Sequence, residues 1–226
     1  MSQMTLEQIS QQLESSNSGD RMVALANLRH ISPNEAVPLI KKVLNDENLQ
    51  VRSMAVFALG IKPTEDCYPI LVKLLETDPD YGIRADAAGA LGYLQDPRGF
   101  EPLNRAFYED TDWLVRFSAA VSLGSLKDPR AYDALIQALD NDEVVIQQAA
   151  IAALGEIGAT DAVDKLLTFA QSQDWLVRQR LADALGNLPT PKSRSALNYL
   201  AKDSNPTVAQ SATLALQRLE TAEIEG

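Results

Sequence analysis

Histidine and cysteine are almost missing from this chain, which has His30 and Cys67 and no other residue of either kind. A single cysteine excludes an internal disulfide framework and suits a reducing compartment. Zinc clusters need several such ligands at set spacings, and a thiol nucleophile needs an imidazole within reach. His30 reads as a loop residue and Cys67 as the opening of a helix further on, so a Cys–His pair is not expected. The sequence has no phosphate-cradling glycine loop and no nucleophile elbow. Asp140-Asn141-Asp142-Glu143 resembles the start of a calcium loop, but Val145 stands at the sixth position, where that loop turns on glycine. No catalytic residue can be named, and no metal or tightly bound cofactor is expected.

Positive charge is scarce too. Twenty Lys and Arg against 31 Asp and Glu leave a formal net charge of -11. That balance argues against nucleic acid and against anionic membrane surfaces as partners. No run of about 18 apolar residues occurs, and Met1 to Thr5 begin no basic-then-apolar leader, so neither export nor membrane insertion is expected. A cytoplasmic protein is the expectation. Aromatic residues make up 6% of the chain and apolar residues 46%, chiefly Ala and Leu, a mixture that favours helices.

What the chain does have is one motif written seven times. Val51-Arg52 to Gly60, Ile83-Arg84 to Gly92, Val115-Arg116 to Gly124, Ile146-Gln147 to Gly155 and Val177-Arg178 to Gly186 keep their hydrophobe, second residue and glycine in fixed relative positions. Worn copies at Arg21 to Arg29 and Val208 to Gln217 flank them. From Arg21 to Ala209 the second position recurs at steps of 31 or 32 residues. A constant period of that size marks stacked repeats. The expected fold is all-α, a right-handed α-solenoid of seven helix pairs over 1–219, followed by an acidic tail over 220–226.

Local signals place the helices. Thr5 and Gln8 have the form of a capping box. Four residues before each second position stand Asn17, Asn48, Asp80, Asp112, Glu143, Asp174 and Asn205, six of them preferred caps for the second helix of each pair. Ser32-Pro33, Asp96-Pro97, Asp128-Pro129 and Thr190-Pro191 begin first helices. The repeat glycine is expected to end the second helix in the left-handed conformation. Helical spacing puts Val51, Ala55, Ala58 and Leu59, and likewise Val115, Ala119, Ser122 and Leu123, on the core face. Polar Gln3, Gln8, Gln11, Gln12, Gln210 and Gln217 suit the outer faces of the terminal units. Arg52, Arg84, Arg116 and Arg178, each near an acidic or polar turn, read as structural ladders between layers.

The opposite face of the second helices carries the third and seventh motif positions. There Phe57, Phe117 and Val121 face water unless covered, and Ala85 and Gly89 leave a shallow place between them. In a solenoid this face lines the concave surface, and exposed apolar groups on it mark a site for a partner helix or a flat hydrophobic ligand. The alternative is packing against neighbouring repeats. Tyr81, Trp113, Val144 and Trp175, each just after a cap residue, form a second column. It is either an aromatic rim for a ligand or partner, or a set of plugs between paired helices.

The pattern Val-Arg-x-x-Ala-Ala-x-Ala-Leu-Gly-x-Leu-x-Asp-Pro-Arg, as in Ile83 to Arg98 and Val115 to Arg130, resembles the short HEAT-like repeats of the phycobilisome lyase group, and the resemblance covers essentially the whole chain. That group includes bilin lyases, a phycobilisome-degradation protein and a HEAT protein that binds an iron-sulfur assembly scaffold. Seven units without extensions, two of them with Asp-Trp-Leu-Val-Arg, are most similar to the degradation member. The resemblance implies a cyanobacterial or plastid setting, with the thylakoid surface as one location. It implies phycobiliprotein subunits, phycocyanin and allophycocyanin, as partners, and bilin (phycocyanobilin) as a ligand whose detachment the protein promotes. Two alternatives stay open: a lyase or isomerase attaching phycocyanobilin, and a non-enzymatic adaptor for another assembly such as an iron-sulfur scaffold.

Overall fold

Caps and apolar spacing give fourteen α-helices and no strand among residues 4–225, which the computed structural model describes. Gln3 and Gly226 lie outside the described residues. Seven pairs follow in chain order: α1 (Leu6–Gln12) with α2 (Ser18–Asn27), α3 (Pro33–Lys41) with α4 (Leu49–Ile61), α5 (Cys67–Thr77) with α6 (Tyr81–Leu94), α7 (Phe100–Glu109) with α8 (Trp113–Ser125), α9 (Tyr132–Ala138) with α10 (Val144–Glu156), α11 (Val163–Leu166) with α12 (Trp175–Leu185), and α13 (Pro191–Leu200) with α14 (Pro206–Glu225). Residues 220–225 prolong α14. The chain divides into two compact units, Met1–Ala119 and Ala120–Gly226.

The caps act as their residue types dictate. Thr5 and Gln8 close a reciprocal capping box, and Asn17, Asn48, Asp80 and Asp174 accept backbone N–H bonds at the starts of α2, α4, α6 and α12. Glu143, with its longer side chain, makes no cap bond to α10. Asp96 and Asp128 each open a single 3-10 turn by accepting the N–H of Arg98 and Arg130, with the proline between them.

Within the first unit α2 packs on α4 and α4 on α6; within the second, α10 packs on α12 and α12 on α14. The core is aliphatic: Val51, Ala55, Leu59, Ala119 and Leu123 are all fully buried. Ala58 is the exception on the expected core face, being only half-buried.

The repeat glycine does a different job from the one its position suggests. Gly60, Gly92, Gly124 and Gly155 lie inside their helices, and Gly186 ends α12 at φ -65°, a right-handed value. The left-handed residues are Gln95, Lys127 and Gly158, each three positions further on. Close approach explains the glycine. A Cβ on Gly60 would stand 2.8 Å from Ala90 Cα, and one on Gly155 2.7 Å from Ala184 Cα. The missing side chain lets α4 meet α6, and α10 meet α12, backbone against methyl.

Charged clamps join the turns of successive pairs. Arg21 donates Nε and Nη2 to Asp46, Arg52 pairs with Asp78, Arg84 donates Nε and Nη2 to Asp110, and Arg178 does the same to Asp203. The carboxylates of Asp46, Asp78, Asp110 and Asp203 also accept the N–H of Asn48, Asp80, Asp112 and Asn205, the cap residues of the next second helices. Arg21, Arg84 and Arg178 give Nη1 to the carbonyls of Ser15, Asp78 and Ser172, each six residues earlier. One guanidinium thus ties its own turn to the following one. Gln147, in the arginine position, keeps only the bond to its own turn, at Asn141 O.

Burial by itself raises the Asp46 and Asp110 carboxyls, but hydrogen bonds from Arg21 and Arg84 and from the cap N–H groups outweigh it, so both titrate below the ordinary aspartate range. Asp203 is held low chiefly by Arg178. Carboxyls depressed in the folded state stabilise it above their unfolded value, about 3.9, and that stability is lost as pH falls through the folded values. The melting temperature is therefore expected to hold from pH 7 to about 5 and to drop below about 4, with a shallower acid limb in Asp110→Asn; circular dichroism melts check this. At pH 7 Asp110→Asn should cost about 2 kcal/mol and Asp164→Asn, in the exposed pair with Lys192, under about 1 kcal/mol. Two glycine variants should differ in sign. Gly89 has nothing within 4 Å of an added Cβ. Gly89→Ala should therefore stabilise by up to about 1 kcal/mol, whereas Gly60→Ala should destabilise by about 1–3 kcal/mol, as urea titration reads.

Candidate functional site

The residue after the cap position begins each of α4, α6, α8, α10 and α12 and points outward, with the cap side chain bonded at all of these starts but that of α10. Leu49, Tyr81 and Trp113 occupy that place in the first unit and Val144 and Trp175 in the second, and all five are exposed large hydrophobic residues. Trp113 and Trp175 are 46% and 44% exposed. The indoles are therefore not fully enclosed between paired helices. Nearly half their surface is free for contact.

The seventh motif position also points out. Phe57 is 49% exposed, and Val121 and Leu214 are exposed as well. Phe57 meets Tyr93 edge to face, with ring centroids 5.7 Å apart at 86°. Both rings stay accessible, and Ile61, one turn on from Phe57, adds to the same apolar surface. Tyr93 and Ile61 are not among the residues that the repeat phase alone singles out. A signal for them exists nonetheless, since each directly follows the repeat glycine and Ile61 lies four residues after Phe57, on one helix face.

The third position behaves less uniformly. Phe117 is half-buried and Ala85 is buried at 5% exposure. The expectation that Ala85 lines an open surface is thus corrected: α6 packs against both α4 and α5, and one methyl group does not reach past those neighbours. Gly89 remains partly exposed over open space. The structure brings Phe57 together with Tyr93 in the first unit, while Trp175 and Val121 belong to the second.

Groups with chemical reactivity are otherwise engaged. Cys67 is fully buried, its Sγ 3.3 Å from Lys62 O and 3.3 Å from Thr64 Oγ1. His30 is exposed, beside the Arg29 guanidinium at 3.3 Å. Among the described residues no group of three or more His, Cys, Asp or Glu is placed to hold a metal ion, and no helix is long and apolar enough to cross a membrane. Asp86, on α6, is a carboxyl pushed upward: burial raises it, a Ser53 hydrogen bond opposes, and Asp80 adds repulsion.

A family model described as HEAT repeats matches residues 6–90, 68–152 and 132–217. No curated protein matches the sequence. Among solved structures, the complex of CpcE and CpcF of phycocyanin lyase from Nostoc sp. PCC7120 is similar at 20% identity and TM-score 0.62, over 97% of this chain and 96% of that one. Kap95p, in a structure describing its binding to RanGDP, is similar at 15% identity and TM-score 0.63, over 98% of this chain and 36% of that one. An engineered protein is similar at 23% identity and TM-score 0.59, over 95% and 68% of the two chains. At such identities these likenesses establish the fold.

Exposure of the two indoles is open to direct measurement. Acrylamide should quench the fluorescence of both tryptophans, and the Trp113→Phe and Trp175→Phe variants should each leave a quenchable indole. A residual indole that resists quenching would contradict the outward placement of that side chain.

Proposed function

The chain belongs to the HEAT-repeat family, and from that premise we propose that it binds phycobiliprotein subunits and promotes detachment of their bilins, as a factor in dismantling the light-harvesting antenna. The observation that carries the binding half of this reading is the exposed ring set of the first unit, Phe57, Tyr81, Tyr93 and Trp113. Half-exposed aromatic side chains on rigid helix positions supply contact area with little rotamer entropy to lose. Phycocyanin and allophycocyanin are the proposed partners because the repeat pattern resembles that of the phycobilisome lyase group, most closely its degradation protein NblB. The fold likeness to a chain of the phycocyanin lyase complex supports the same choice.

No catalytic group is assigned. Binding strain, or exposure of the chromophore to an acid, promotes release by reversal of thiol addition: the carbon–sulfur bond breaks, the neighbouring bilin carbon gives up the proton that restores its double bond, and the sulfur is protonated to the subunit's cysteine thiol. Phycocyanobilin is a proposed transient ligand, with Trp175 and Val121 as further contacts in the second unit. The proposed site of action is the cyanobacterial cytosol or the thylakoid surface. With a net charge of -11, contact at that surface would be with antenna protein rather than with anionic lipid.

Titration of intact phycocyanin with this protein should lower the visible absorbance as bilin is released. Trp113→Ala and Phe57→Asp should each weaken co-precipitation of phycocyanin about tenfold while helical circular dichroism stays at the wild-type level. Gain of fluorescence when free phycocyanobilin and the apo-subunit are mixed in the presence of this protein, and not in its absence, would instead favour an attaching lyase. Retention of other partners without any phycobiliprotein would favour an adaptor for a different assembly.

A further inference from the structure

Between α2, α3 and α4 lies an apolar pocket of about 230 Å³. Leu28, Ile40, Met54, Phe57 and Ile61 form its lining, and Ala26 stands at its exposed edge. Two cations, Arg29 and Lys62, complete the rim. Neither has a carboxylate partner among the described residues. Arg29 reaches only His30, and the Lys62 ammonium donates to the carbonyls of Arg29 and Ile31 at 2.7 and 2.6 Å. Most other basic side chains of the first unit are neutralised: Arg21, Lys41, Lys42, Arg52, Arg84, Arg98 and Arg105 all pair with Asp or Glu. In a chain with eleven excess negative charges, two uncompensated cations beside one greasy hollow are a local reversal of sign.

Size and charge together choose the occupant. The hollow is smaller than the roughly 300–1,000 Å³ typical of sites that enclose a whole small molecule, and it suits one large apolar side chain. We propose that this pocket docks an acidic peptide segment of a partner protein, one aromatic or branched aliphatic residue filling the hollow and flanking Asp or Glu residues meeting Arg29 and Lys62. This is the helix-groove mode of recognition with a charge filter, in which the apolar anchor supplies affinity and the cations reject basic segments. It rests on the binding reading above only in requiring a protein partner; it holds whether or not that partner is a phycobiliprotein.

Selection of a displayed library of random twelve-residue peptides on the full chain tests it. Enriched peptides should carry net negative charge around one large apolar residue, and a fluorescein-labelled copy should bind in polarisation assays. Ala26→Trp, which blocks the hollow from an exposed helix position, should weaken that binding by at least about tenfold; Arg29→Glu should weaken it about fivefold at low salt and less at 0.5 M salt. Neutral or basic enriched peptides, indifference to Ala26→Trp, or no enrichment at all would each overturn the proposal. Co-precipitation of phycocyanin separates this failure from that of the proposed function. If phycocyanin is retained but no acidic peptide binds, the pocket proposal falls and the proposed function stands. If an acidic peptide binds in a manner sensitive to Ala26→Trp but phycocyanin is never retained, the pocket stands and the proposed function falls.

Discussion

Four carboxylates hold successive helix pairs in register. Asp46, Asp78, Asp110 and Asp203 each accept from an arginine of the preceding pair and from the N–H of the next cap residue, so one side chain fixes both the stacking of a layer and the start of its inner helix. The pairing is partly enclosed, which makes breaking it costly even where its net worth against an apolar substitute is small. Glycine supplies the other half of the constraint. Where Gly60 faces Ala90 and Gly155 faces Ala184, the helices touch along a line that any Cβ would push apart. Electrostatic clamp and close contact act on opposite ends of the same helix.

Function follows from what these constraints leave free. The residue after the cap position points outward whatever its type, and the chain has put leucine, tyrosine, tryptophan, valine and tryptophan there in five successive copies. The seventh position is equally unconstrained and carries Phe57, Val121 and Leu214. A scaffold of interchangeable layers thus lets binding residues vary without touching the packing that supports them. The enclosed aspartates and arginines of the clamps serve that packing.

Much of this was legible in the sequence because the signals are local and repeated. Most cap residues, the Asp-Pro starts, most aliphatic core positions and the pairing of Arg52, Arg84 and Arg178 follow from spacing within about 31 residues, whereas Arg116 keeps a buried Nε without a hydrogen-bond partner. Three things were not legible, for physical reasons. Gly60 and Gly155 look like helix stops when read along the chain, and only the facing Ala90 and Ala184 reveal that they are contact points. Ala85 has the phase of a surface residue but too short a side chain to reach the surface between α4 and α5. The Phe57–Tyr93 contact and the α2–α4 pocket depend on which side chains from different repeats meet, and repeat spacing fixes layers without fixing those meetings.

Hydroxyl-radical footprinting of the protein with and without intact phycocyanin tests the proposed binding surface most directly, because it reads side-chain cover residue by residue. Oxidation of Phe57, Tyr81, Tyr93 and Trp113 is predicted to fall several-fold in the mixture while that of Tyr108 and Tyr199, exposed on first helices, stays unchanged. Unaltered oxidation of the four rings, with protection at Tyr108 or Tyr199 instead, would contradict it.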